Sequence, residues 1–242
     1  QIYQQRENEP MSAYYYYNVT GIINTDRSNM PESQKTLQAE AQLPGCPIIE
    51  DKNKDGKIDE NDVYMKDNSP AIYVGIGNTF TYKRFEFSFF MYGQFGIQKY
   101  NIAYSAAQAG PLAVDYPENS NKFAYRLWNS QTNPNGSRPG LAIGKMGALP
   151  GNAWVNADRE NASFMRMRNI TLAYNLAGNI LGSLQRYVRN IKVYVDAQNP
   201  FILTKFQGFD PEIYTGGGGA SGGSRGEHPQ TRTFSLGANI TF

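Results

Sequence analysis

The chain is poor in the residues that do most enzyme chemistry: 242 residues contain one cysteine, Cys46, and one histidine, His228. That scarcity excludes an intrachain disulfide, a Cys/His zinc site, and any Cys-His dyad or Ser-His-Asp triad built within the chain. His228 lies in GEHPQ, beside a proline, and reads as an exposed loop residue. A transmembrane helix needs roughly eighteen consecutive apolar residues, and no such run is present. No charged-then-apolar leader begins at Gln1, so an export signal is expected either upstream of residue 1 or not at all. Charge of one sign is lacking too. Lys and Arg number 23 against 21 Asp and Glu, without basic runs, so an electrostatically held nucleic-acid partner is not expected. No paired-carboxylate motif stands out, and no catalysis is expected.

What the chain has in quantity is 17 Tyr, 13 Phe and 24 Gly, a strand-forming composition. Several segments alternate with period two. In IYVGIGNTFTY, Ile72, Val74, Ile76, Phe80 and Tyr82 share one face; in RFEFSFFMYGQFG, Phe85, Phe87, Phe89, Met91 and Phe95 do. Only Lys83 and Arg84 separate these two, which predicts a tight hairpin. Further strands are predicted over RNIKVYVDAQNPF and TFSLGANITF. In SFMRMRNITLAYN the apolar phase changes near Asn169, which predicts a β-bulge. The tyrosine run Tyr14 to Tyr17, leading into NVTGII, is read as a sixth strand. A short helix is expected in LAGNILGSLQRYVRN.

Connections between these strands alternate between long and short, as in membrane β-barrels, whose loops reach out on one side while turns stay tight on the other. With the last strand ending at the periplasmic side, every long connection lies outside the cell. A closed single-chain barrel takes an even number of at least eight strands, so six predict either overlooked strands between residues 96 and 162 or a part of something larger.

One long connection carries DKNKDGKIDEND, Asp51 to Asp62, with the spacing of an EF-hand calcium loop. Asp51, Asn53, Asp55 and the Lys57 carbonyl are the expected direct ligands, Asp59 a ligand through water, and Asp62 the last. Asp62 stands where Glu is preferred, which predicts a weaker site. Prolines before the loop and a strand after it exclude the helix pair of a calcium sensor, leaving a structural Ca2+ site or a metal-free Asx turn. GGGGASGGSRG, Gly216 to Gly226, lacks the ending of a phosphate loop and reads as a flexible connection. Tyr125, Trp128 and Trp154 are candidates for stacking on sugar rings, with loop packing the commoner use.

DKNKDGKIDENDV, GIGNTFTYKRFEFSFFMYGQFGIQKYN, ENASFMRMRNITLAYNL, IKVYVDAQNPFILTKFQGFDPEI and HPQTRTFSLGANITF, in that order, resemble the C-terminal quarter of the SusC/RagA family of TonB-dependent outer-membrane transporters. The resemblance covers about residues 50 to 242. It implies that residues 1–242 are the C-terminal segment of a 22-stranded barrel whose plug domain and N-terminal strands lie outside this sequence. It also implies a bacterial outer-membrane location, a TonB partner acting through those N-terminal parts, and a SusD-like surface lipoprotein that helps capture oligosaccharides or peptides. The expected fold is therefore an all-β antiparallel transmembrane barrel segment, with Phe87, Phe89, Val193 and Leu236 facing lipid and Glu86, Gln94, Asp196 and Gln198 lining the interior. The rival expectation is a soluble, secreted β-sandwich that binds carbohydrate through the calcium-like loop.

Overall fold

The computed structural model describes residues 8–10, 13–101, 126–140, 149–150, 154–176, 182, 186–208, 210–212 and 230–242. They form strands β1 (Ala13–Tyr17), β2 (Val19–Ile22), β3 (Pro47–Ile49), β4 (Tyr64–Asp67), β5 (Ile72–Tyr82), β6 (Phe85–Phe95), β7 (Gln98–Tyr100), β8 (Trp154–Val155), β9 (Arg159–Asn161), β10 (Phe164–Leu176), β11 (Asn190–Gln198), β12 (Ile202–Thr204) and β13 (Thr233–Thr241). The principal sheet runs β13-β11-β10-β6-β5, every pairing antiparallel, with β12 attached to β10.

The pairing register lines up the period-two patterns of five strands. One row across the sheet reads Phe80, Phe87, Leu172, Val195, Leu236; the next reads Thr79, Ser88, Thr171, Asp196, Ser235. Because successive side chains point to opposite faces, one face is a continuous apolar band and the other is polar. Among the described residues no second sheet covers the apolar band: Leu236 is 82% and Phe80 56% exposed. A soluble sandwich would bury those residues, so the sandwich expectation is not met. Barrel closure is not shown either. Among the described residues the sheet is open, with β5 and β13 as its edges.

Local features follow from the sequence. Lys83 adopts φ 55° in the two-residue turn, so that Tyr82 pairs with Phe85. The register shifts between Met167 and Asn169, the expected bulge, and this keeps Met167, opposite Met91, on the same face as Ile170, opposite Phe89. The tight turn at 83–84, the end of β10, the start of β11 and the end of β13 share one end of the sheet. The long connections leave from the other. The helix expected between residues 177 and 189 and the glycine-rich stretch fall largely or wholly outside the described residues.

The tyrosine run corrects one expectation. It is a strand, but it belongs to a separate sheet, β4-β1-β8, and not to the principal one. Tyr14, Tyr15 and Tyr17 are all buried, so the run does not alternate as a half-solvated wall strand would. Tyr15 and Tyr17 enter a small core with Ile23, Leu37, Cys46, Ile49, Ile58 and Leu149. Tyr14 lies under the Arg159 guanidinium, 3.6 Å from its ring centroid. The long connections thus build a module of their own beyond the wall.

Cys46 reports on that module. It is fully buried, and burial pushes its thiol up to about 11. The reactive thiolate is therefore scarce at neutral pH. Iodoacetamide should label the folded protein very slowly at pH 8 and faster as pH approaches 11, with mass spectrometry following the adduct. Rapid labelling at pH 8 would contradict a packed module.

Candidate functional site

The acidic loop hangs from the module by two anchors. Ile58 is buried in the core, worth about 1.5–3 kcal/mol, and its N–H donates to Thr36 Oγ1 at 3.0 Å. Asp62, with no exposed surface, accepts from the N–H groups of Lys52 (2.9 Å), Asn53 (3.4 Å) and Asp59 (2.8 Å), closing the loop end to end. Between the anchors, Asp51 accepts from Gly56 N–H, Asn53 from Asp55 N–H, and Asp55 from Lys57 N–H, all within 3.1 Å. Asp59 accepts from Asn61 N–H and caps the short helical turn that follows. Gly56 has φ 84°, a conformation that side chains resist, so the turn requires glycine there. One oxygen stands apart: Asp51 Oδ1 is buried without a hydrogen-bond partner.

The structure thus places Asp51, Asn53, Asp55, Lys57, Asp59 and Asp62 in one closed loop. Among the described residues, no three acidic, histidine or cysteine side chains converge as metal ligands would. Carboxylates near Tyr17, whose hydroxyl donates to Asp59 O at 2.9 Å, add to burial in raising the phenol's pKa, so Tyr17 stays a neutral donor.

The polar face of the wall carries its own network. Lys192 pairs with Glu86 at 2.9 Å, and Thr171 donates to Asp196 at 2.7 Å, so Glu86 and Asp196 lie on the polar face as expected. Toward the long-loop end, Arg166 is 3% exposed and its Nη2 contacts both carboxylate oxygens of Asp210, at 2.6 and 2.7 Å. Its Nε lies 2.6 Å from Glu212 Oε2, a charge contact without the alignment of a hydrogen bond. Glu212 also pairs with Arg168 and accepts from the Tyr92 hydroxyl. Gln230 N–H donates to Asp210 at 3.2 Å. Both ends of the connection from β12 to β13 are therefore pinned to the polar face at one carboxylate. Sequence reasoning missed this clamp, although two arginines alternating with Met165 and Met167 were its signal.

Trp128 lies at a cleft in the long-loop module. The Trp154 side chain and Tyr125 lie outside the described residues.

No protein-family model matches the chain. The TonB-dependent receptor SusC of Bacteroides thetaiotaomicron is 31% identical over 196 residues, covering 79% of this chain and 17% of that receptor. SusC and other TonB-dependent receptors thus match most of this chain, as a partial SusC/RagA-like fragment would. These are outer-membrane proteins. TonB-dependent receptor P3 of Formosa agariphila is 27% identical over 98% of this chain, which covers 23% of that receptor. A solved RagAB peptide transporter shares the fold, with TM-score 0.65 and 22% identity over 95% of this chain and 22% of its own. The chain spans less than a quarter of the length of each.

Proposed function

We propose that residues 1–242 form the C-terminal part of the barrel wall of an outer-membrane importer of nutrient oligomers, glycans or peptides. The importer is energised through TonB and works with a SusD-like surface lipoprotein. The observation that carries the reading is the open amphipathic sheet: an exposed apolar band on one face, an ion-paired polar face on the other, and two strand edges left for neighbouring strands. In this reading the free edges pair with the rest of the barrel, the polar face borders the transport path, and the long connections face outward to the lipoprotein. A strain lacking the gene should lose growth on one class of oligomer, as should a strain lacking TonB, and a tagged receptor should co-purify a surface lipoprotein. Undiminished oligomer uptake in both strains would overturn the reading.

The acidic loop is a structural Ca2+ site in the same proposal. Its donors are all hard oxygens, and Asp51 Oδ1, at the first ligand position, is a buried acceptor without a donor. Binding requires Asn53 and Asp55 to turn oxygens from backbone N–H groups toward the ion. A site with a Kd of about 0.1 mM would stabilise the module by about 1.4 kcal/mol at about 1 mM calcium. Calorimetric titration should therefore show calcium binding in the parent and its loss in Asp55→Ala. Equal heats in both would remove the site.

A further inference from the structure

The Trp128 cleft has a volume of about 600 Å³, within the range of small-ligand sites. It lies between β2 and the segment Pro134–Pro139, with Asn24, Asn29 and Asn156 also on its wall. The backbone gives way to the indole at two points. A Cβ at Gly45 would lie 2.7 Å from Trp128 Cε3, and one at Gly140 would lie 3.3 Å from the same atom. Trp128 is thus held in place by glycines before any ligand arrives, and stays half-buried at the cleft. Pre-positioned aromatic surface costs little order on binding.

The rest of the lining mixes apolar residues, Val19, Ile22, Ala157 and two prolines, with uncharged polar ones, and Arg138 is its one charged residue. Arg138 pairs with Glu160 at 3.2 Å, so its charge is balanced within the fold. The amides of Asn24, Asn29 and Asn156 are engaged within the fold, donating to Ser28 Oγ, Ile22 O and Asn18 Oδ1. Asn135 and Ser137 are exposed at the cleft. An aromatic ring beside amide and hydroxyl groups, with no unbalanced charge, matches a ligand that offers an apolar ring face and hydroxyl edges.

We infer that this cleft binds a neutral oligosaccharide, one sugar ring stacked on Trp128 and its hydroxyls met by Asn135 and Ser137. The inference rests on the importer reading and narrows it to glycans. Charged peptide termini would find no free counter-charge in the lining.

The test uses the full-length receptor purified in detergent, titrated calorimetrically with malto-, cello- and xylohexaose and with an acetylated, amidated Gly-Ser hexapeptide. At least one hexaose should bind the parent. Trp128→Ala should weaken that binding at least about tenfold, and Trp128→Phe should stay within about threefold. Ser137→Trp, which fills the cleft from an exposed position, should reproduce the loss if Trp128→Ala fails to fold. Binding of no hexaose, hexaose binding unchanged in Trp128→Ala and Ser137→Trp, or a loss confined to the peptide would each overturn the inference. Oligomer uptake by the same strains separates the two readings: uptake that persists with hexaose binding unchanged overturns the cleft alone, whereas no uptake by the parent overturns the importer.

Discussion

Replacing Arg166 with methionine is expected to destabilise the folded wall by about 3–5 kcal/mol, because it leaves the buried Asp210 carboxylate without its counter-charge. Arg166 holds Asp210 through two short hydrogen bonds and lies against Glu212. Arg168 remains near Glu212 but contacts Asp210 in no observed bond, so Asp210 bears most of the loss. Lysine should rescue only part of the effect: it restores charge but not the planar guanidinium that sets Nη2 on Asp210 and Nε against Glu212 at once. The combination Arg166→Met, Asp210→Asn, Glu212→Gln should recover much of the stability by removing the orphaned charges along with the cation. Urea unfolding in detergent, followed by the gel shift between folded and heat-denatured receptor, measures all three variants. A single variant as stable as the parent would mean that the clamp is not desolvated. Because Gln230 N–H also rests on Asp210, proteolysis between residues 212 and 230 should accelerate in the same variant.

The second large effect lies on the opposite face. Leu236 stands in the row Phe80, Phe87, Leu172, Val195, Leu236, and its side chain is among the most exposed apolar groups of the sheet. In lipid that exposure is burial. Arginine at a mid-membrane barrel position costs about 2–4 kcal/mol, so Leu236→Arg should lower the yield of refolding into lipid vesicles and shift the urea midpoint accordingly. Ser235→Arg, one residue away but on the polar face, should cost far less. Equal losses for the pair would refute the assignment of faces, since the two differ in little except the side to which they point.

Much of the wall was legible in the sequence because each of its long strands has one wet and one apolar face, and period two records that directly. The bulge near Asn169 was legible for the same reason, as a break in phase. Tyr14–Tyr17 misled because aromatic content marks a strand but not the sheet it joins. With three of its four tyrosines buried, the run carries no alternation to place it. The calcium-like spacing identified the loop and its backbone turns, while the tie from Asp62 back to Lys52 and the depth of Ile58 emerged only from the packing. The Arg166 clamp joins residues 44 positions apart, and no local pattern encodes such a pairing. The same holds for Trp128, whose position depends on Gly45, far away in the chain.

The central claim is that this sheet crosses the outer membrane with one face to lipid. Spin labels placed singly from Phe85 to Met91 in the full-length receptor, reconstituted in vesicles, test it most directly. Accessibility to oxygen should peak at Phe85, Phe87, Phe89 and Met91, and accessibility to a polar nickel reagent at Glu86, Ser88 and Phe90. A profile without alternation, or nickel access at both sets, would contradict the account.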